Sequence, residues 1–227
     1  RPAACLPADL DPIPSWLSWL VLCDGAEVRE ARTGACLWRK PLSAASLAQV
    51  DQAARAYGIP AEYIDRDSRY HMTAATRRAV ETSSLGAFHK GIVARRGCPL
   101  EGPAAALAGQ EVLKINMPFV PEAVRPGFKA AVGGAALILD CGAGGLELTA
   151  PGAGKLAAVG FLAQTLGFSI REVMALGDSG NDAALLAAAG LGVAMGNAQP
   201  EAKAAARAVT GRNTDGGAAA AIRRWLL

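Results

Sequence analysis

From residue 151 onward, apolar stretches of strand length alternate with stretches of helical spacing, in the order helix, strand, helix, strand, helix, strand, helix. That alternation argues for parallel βα units. Before 151 the pattern is mixed. Residues 17–23 read as a buried strand ending at Asp24-Gly25, and residues 27–39 alternate around Thr33-Gly34, which predicts a hairpin. Residues 42–57 have helical spacing and stop at Gly58, a suitable residue just past a helix end. Residues 73–82 predict another helix. Residues 112–117 read as a strand, 122–132 as a helix despite Pro126, and 136–140 and 145–149 as strands. Residues 3–14 read as a short helix or loop broken by Pro7, Pro12 and Pro14. No internal repeat is visible, and the glycine-rich stretches at 142–145 and 151–154 are the best linker candidates.

Composition narrows the classes. A chain of 227 residues can form one large or two small domains. It is 52% hydrophobic and 19% charged, so it can bury a core and is not disordered. A net charge of +3 is too mild to argue for nucleic-acid or membrane binding. The arginine pairs (Arg77-Arg78, Arg95-Arg96, Arg223-Arg224) read as solvated faces. The five cysteines are scattered without a C-x-x-C, which argues against a disulfide framework and a zinc site and for a reducing cytoplasm. The longest apolar run, 16–23, is interrupted by Ser18 and far too short to span a bilayer, and no signal peptide is visible.

The chemistry concentrates in Gly177-Asp178-Ser179-Gly180-Asn181-Asp182. An apolar strand, 173–176, runs into a tight glycine turn, then two carboxylates and an amide stand at the mouth of a helix. Open α/β sheets place ligands at the carboxyl ends of their strands. Carboxylates converging there suit a hard cation such as Mg²⁺ bridging to a phosphate. Ser179-x-x-Asp182 is also a capping-box pattern, which accounts for Asp182 alone but not for Asp178 or Asn181. Two other glycine patterns carry nothing. Pro151-Gly-Ala-Gly-Lys-Leu lacks a P-loop's first glycine and its Ser/Thr, and Gly190-x-Gly192-x-x-x-Gly196 has the wrong spacing for a dinucleotide fingerprint.

The 177–182 string resembles motif IV of the haloacid dehalogenase (HAD) superfamily, in its phosphatase branch. Gly190-Leu-Gly-Val-Ala-Met-Gly-Asn-Ala resembles the strand and Asn-Ala turn that follow. Glu201, Lys203, Ala204 and Ala205 resemble the next short helix, and Val209-Thr210 with Asn213-Thr214-Asp215-Gly216-Gly217 the closing strand and loop. Pro151-Gly-Ala-Gly-Lys155 resembles the motif III lysine opening a helix. The resemblance is specific over 146–227 and is closest to the Cof-type and sucrose-phosphatase-like members. It implies an α/β fold: a Rossmann-like core with a parallel sheet, from 1–40 and 150–227, and an inserted α+β cap of the C2B type at 41–149.

The same resemblance implies an Mg²⁺-dependent phosphatase of small phosphate monoesters such as phosphosugars, working through an aspartyl-phosphate, with cap closure excluding water. Asp178 would be a metal ligand. Asp182 would support the metal's water shell or orient Asp178. Lys155 would neutralise the phosphoryl charge. A cation in a helix's first turn opposes the macrodipole, so an anion nearby would explain its position. Asn181 would donate to a phosphate oxygen or fix the loop, and Asn197 would bind phosphate or shape the rim. Arg69, His71, Lys114 and Asn116 are cap candidates for selecting the substrate.

One part of the family pattern is missing. No D-x-D-G-T string, which would supply the nucleophilic aspartate and its acid–base partner, occurs in the chain. Asp9-Leu10-Asp11 has the spacing but is followed by Pro12, and in residues 20–25 Leu22 occupies the nucleophile's place. Arg1-Pro2 instead resembles the end of the T-G-R-P after motif II, and residues 20–28 the later "strand, N-G-A" segment with Asp24 replacing Asn. On that reading about 30–45 residues with motifs I and II precede Arg1, from typical element and loop lengths, and the 227 residues alone are inactive. A non-catalytic module that binds a phosphometabolite or a partner protein, or half of a split enzyme, are the alternatives. The sequence leaves the oligomeric state open.

Overall fold

A computed structural model describes residues 2–6, 13–141 and 144–227. Arg1, the Asp9-Leu10-Asp11 string and Gly142-Ala143 lie outside the described residues. The chain is organised as two units, Arg1–Ala153 and Gly154–Leu227.

The first unit opens with an antiparallel three-stranded sheet, β1 (Trp19–Leu22), β2 (Glu27–Glu30) and β3 (Cys36–Arg39). Between β1 and β2 the chain turns through Cys23, Asp24 and Gly25, all three at positive φ (49°, 54° and 90°). Asp and Gly tolerate that left-handed region. Then follow α1 (Ala44–Ala56), β4 (Glu62–Asp65), β5 (Tyr70–Met72), α2 (Ala74–Thr82), α3 (Ala87–Arg96), β6 (Gly97–Pro99), β7 (Val112–Met117), α4 (Arg125–Val132), β8 (Leu137–Asp140) and β9 (Leu146–Thr149). Ser43 and Thr73 cap α1 and α2 by accepting from the backbone N–H three residues on. Pro126 sits in the first turn of α4, where its missing N–H costs nothing.

Six of these strands form a mixed sheet in the order β6-β5-β4-β7-β9-β8. Its two faces have different chemistry because side chains alternate along each strand. On one face Tyr63, Leu113, Ile115, Met117, Leu146 and Leu148 pack with Leu47 and Val50 of α1 and Phe128 and Val132 of α4 into one core. The Tyr63 hydroxyl donates to Asp51 of α1 at 2.9 Å. The register then places Glu62, Ile64, Lys114, Asn116, Glu147 and Thr149 together on the other face. Ile64, Tyr70 and Met72 are covered there by Val80 of α2 and Ile92 and Val93 of α3.

The rest of that second face is polar. Lys114 is buried and its Nζ lies 2.6 Å from both Asp24 and Glu147. Burial alone would lower the Lys114 pKa, but the two carboxylates outweigh it and hold it above the ordinary lysine value. Burial would likewise raise Asp24, yet the Lys114 charge and hydrogen bond hold it below the usual carboxylate range. Glu62, fully buried, accepts from Asn116 Nδ2 at 3.2 Å and faces His89 Nε2 at 2.8 Å. Residues 20–26 belong to this unit physically, since Leu22, Cys23 and Ala26 join the core of α1 and the large sheet.

In the second unit α5 (Lys155–Leu166), β10 (Met174–Gly177), α6 (Ala183–Ala188), β11 (Leu191–Ala194), α7 (Pro200–Ala205), β12 (Ala208–Val209) and α8 (Gly217–Trp225) alternate as the pattern predicts. The three strands pair in parallel, β10-β11-β12, around a small-residue core of Ala175, Leu186, Ala189, Ala194, Met195, Ala198 and Ala202.

Two outcomes are expected. Phe128 is fully buried, with its ring edge-on to Tyr57. Phe128→Ala should destabilise the first unit by about 3–5 kcal/mol, read as a lower urea midpoint of the full chain. The hydrogen bond that His89 donates to Glu62 raises the His89 pKa above 6.5, with ring burial acting the other way. A group raised in the folded state contributes fully below its unfolded pKa and loses that contribution as pH rises through the folded one. Stability should therefore fall as pH rises above about 6.5, and His89→Gln should flatten that slope in unfolding curves taken across the range. Identical slopes for the two proteins would refute the assignment.

Candidate functional site

The apolar strand β10 delivers Gly177 and Asp178 to its carboxyl end, where the chain must turn. Gly177 is required by contact: a Cβ there would stand 2.4 Å from the Cβ of Asp182. Without it Asp182 folds back under the turn. Its Oδ2 accepts from the backbone N–H of Asp178 at 3.0 Å and of Ser179 at 3.1 Å. The Ser179–Asp182 capping box is thus formed, followed by a 3₁₀ turn (Gly180–Asp182) and the six-residue α6.

Lys155 begins α5, and its ammonium lies 2.5 Å from Asp182 Oδ1 and 2.8 Å from Asn181 Oδ1. The anion that its position in a first helical turn calls for is therefore Asp182. Burial would raise the Asp182 pKa, but the Lys155 hydrogen bond and charge, together with the two backbone donors, hold it below the ordinary carboxylate value. Ser179 Oγ lies 2.5 Å from Asn181 Oδ1, which fixes the amide. Asp178 is exposed, and among the described residues none hydrogen-bonds its carboxylate.

The structure thus brings Lys155, Asp178, Asn181 and Asp182 to one strand end and divides their work. Both Asp182 oxygens are engaged, so it orients the Asp178 backbone and holds Lys155, while Asp178 presents the open carboxylate. Among the described residues no three His, Cys, Asp or Glu side chains converge to hold a metal. The donor set fits one side of an Mg²⁺ site, since that ion keeps several waters and needs only one or two carboxylates.

Asn197 stands apart from those four: its Oδ1 accepts from the Asn213 backbone at 2.9 Å, tying two loops at the rim. Gln199 is a participant that sequence reasoning missed. Its Oε1 accepts from Gly180 N at 2.8 Å and its own N–H donates to Asp178 O at 2.8 Å, clamping the turn from the start of α7. Its place just before Pro200, at a helix start, is the only signal the sequence holds. Of the cap candidates, Lys114 and Asn116 share the polar face of the large sheet. His71 pairs with Tyr63 in register and so lies on the opposite face, buried against Asp65 at 2.8 Å, and Arg69, just before β5, is exposed.

The chain resembles known proteins in both sequence and fold. It is 49% identical over 82 residues to the 5-amino-6-(5-phospho-D-ribitylamino)uracil phosphatase YcsE of Bacillus subtilis, covering 36% of this chain and 33% of that one. It is 46% identical over 66 residues to the HMP-PP phosphatase of Klebsiella pneumoniae, covering 29% and 23%. The aligned part thus spans about a third or less of the length of these relatives. In fold, it superposes on a HAD subclass IIB sugar phosphatase with a TM-score of 0.79 at 18% identity, covering 99% of this chain and 82% of that one. A haloacid dehalogenase-like hydrolase from B. subtilis gives 0.77 at 22% identity, covering 100% and 85%. Among the described residues no helix is long and apolar enough to cross a membrane. Residues 17–222 match the haloacid dehalogenase-like hydrolase family from the first hairpin through α8, and the chain belongs to that family.

Proposed function

We propose that this chain carries the charge-stabilising half of an Mg²⁺-dependent phosphatase that hydrolyses small phosphate monoesters, phosphosugars among them. One observation carries the reading. An ammonium has three donors; Asn181 and Asp182 take two from Lys155, and the side chain remains 29% exposed, so the third is open in the loop that also carries the exposed Asp178. A cation donor and a free carboxylate at one strand end suit a phosphoryl group and the hard cation that accompanies it. The names of the relatives, phosphatases of small phosphorylated molecules, support the same class.

In this mechanism Lys155 donates to a phosphoryl oxygen and offsets the charge that builds there. Asp182 keeps Lys155 aimed, and Gln199 and Asp182 together hold the 178–180 backbone so that Asp178 stays in register. Asp178 would hold Mg²⁺, which when bound neutralises phosphate charge. Asn181 orients the lysine, and Asn197 shapes the rim. The nucleophilic aspartate, which would form the aspartyl-phosphate, is assigned to residues preceding these 227, because they contain no D-x-D-G-T string. In that longer protein, 1–40 and 150–227 would form one core and 41–149 its C2B-type cap. The substrate is a small metabolite of the cytoplasm, with no nucleic-acid or membrane partner.

The test is phosphate release from a panel of phosphosugars, with Mg²⁺ or with EDTA. The longer protein bearing the motif should turn over only with Mg²⁺, and the 227 residues alone should release none. Lys155→Ala in the longer protein should lower kcat/KM by about 10²–10³-fold, the usual cost of one preorganised donor; an unchanged rate would sink the proposal. Phosphate binding without turnover by the longer protein would favour the non-catalytic module. The loop also has a prediction independent of substrate. Asp182 is depressed in the folded state, so its contribution is present above the unfolded pKa and lost as pH falls through the folded one. Acid unfolding of the second unit below pH about 4 should be shallower in Asp182→Asn than in the parent chain.

A further inference from the structure

Where α1 ends and β4 and α2 begin, the first unit holds a cavity of about 310 Å³ that the proposed reaction does not use. Roughly 300–1,000 Å³ is the size of small-molecule sites. The cavity lies on the α1 side of the large sheet, for Asp51 of α1 and Tyr63 of the core beneath it are in its wall. Among the described residues lining it, none belongs to the Lys114 network of the opposite face. Ala54, Ile59 and Ala61 give it a buried apolar wall, and Pro60 and Ala75 stand nearer the rim.

Its polar groups divide into spent and unspent. Asp51 is spent: Oδ1 accepts from the Tyr63 hydroxyl at 2.9 Å, and Oδ2 from Arg55 Nε at 3.0 Å and Ala104 N at 3.2 Å. Arg55 Nη2 donates to Gly102 O at 2.9 Å, while Nη1 has no partner among the described residues. Thr73 Oγ1 donates to Thr76 Oγ1 at 3.1 Å and accepts from Thr76 N. The hydroxyl proton of Thr76 then has no acceptor among the described residues, and Thr76 is only 5% exposed. A buried donor left unpaired is costly, and an acceptor that reaches it relieves that cost. The only charged residues in the wall are Asp51 and Arg55, bonded to each other, so its formal charge is zero.

A neutral, mostly apolar wall with donors to spare fits an acceptor that brings no charge of its own. We infer that this cavity binds a small neutral molecule bearing a carbonyl on an apolar ring or chain. The carbonyl oxygen accepts from the Thr76 hydroxyl and Arg55 Nη1, and the carbon skeleton packs on Ile59 and Pro60. A carboxylate would gain the same donors but would face the Asp51 charge, and an ammonium would find the Asp51 oxygens already holding three donors.

Three probes test this: cyclohexanone, cyclohexanecarboxylate and cyclohexylamine, which share a ring and differ in the charge of the head group. None carries phosphate, so the result is independent of whether the protein is a phosphatase. Backbone-amide NMR of the full chain would be recorded during titration with each at matched concentrations. Cyclohexanone should shift the resonances of residues 54–59 and 73–76 and bind more tightly than the other two. Thr76→Val, which removes the hydroxyl and leaves the Thr73 cap in place, should weaken cyclohexanone binding roughly fivefold, the loss of one neutral hydrogen bond. Ala75→Trp, at an exposed rim position, should abolish the localised shifts while far-UV circular dichroism stays that of the parent chain. Binding of the carboxylate or the amine as tight as that of cyclohexanone, no localised shifts with cyclohexanone, or an unchanged affinity in either variant would overturn the inference.

Discussion

An ammonium stays charged inside a sheet only if carboxylates meet it there, and Lys114 meets two. Glu147 comes from the neighbouring strand β9, and Asp24 from the turn that follows β1, so one buried cation joins the small sheet to the middle of the large one. Removing one partner of such a group leaves a buried charge uncompensated, typically at about 3–5 kcal/mol. The turn at 23–25 is strained, with two non-glycine residues in the left-handed region, and conformations of that kind persist only where their surroundings over-determine them. The ion pair is part of what does so. Asn would fit the same backbone, but only a carboxylate answers the lysine.

In the second unit one carboxylate, Asp182, both closes the capping box and holds Lys155. The oxygen that closes the capping box holds the Asp178 and Ser179 amides, and the other oxygen holds Lys155. A capping residue is stiff because it is bonded on every side, and stiffness is what a charge-stabilising site needs from the residues behind it.

The sequence made the second unit legible because each element there obeys one rule: apolar strands, small-residue helices, glycines at the turns. Strands such as Val112–Met117 and the Thr33-Gly34 hairpin were legible for the same reason. Between α1 and β7 only helix α2, read over 73–82 and formed at Ala74–Thr82, was legible. Residues 62–65 are buried on both faces yet carry Glu62 and Asp65 at either end, so they show neither a strand's alternation nor an apolar run. Their charges are tolerable only because His89, Asn116 and His71 arrive from elsewhere in the chain. Helix α3 buries just Ile92 and Val93, too few for a stripe, and three-residue β6 ends in proline. Lys114 and Asn116 stood out as polar positions in an apolar strand, but which partners they meet is a matter of register, and register is set by contacts distant in sequence.

The strand order of the large sheet also decides how this protein behaves toward its own copies when crowded. An open sheet offers unpaired backbone groups at its two edges, a template on which further strands can be recruited into aggregates. One edge here is β6, only three residues long and closed by Pro99, which has no N–H to offer an incoming strand. The other, β8, ends at Asp140, whose carboxylate is bound by Arg125 and Lys129 of α4. Charged side chains therefore crowd the end of that edge. The sheet is terminated on one side by conformation and on the other by charge, so polymerisation through its edges is disfavoured at both.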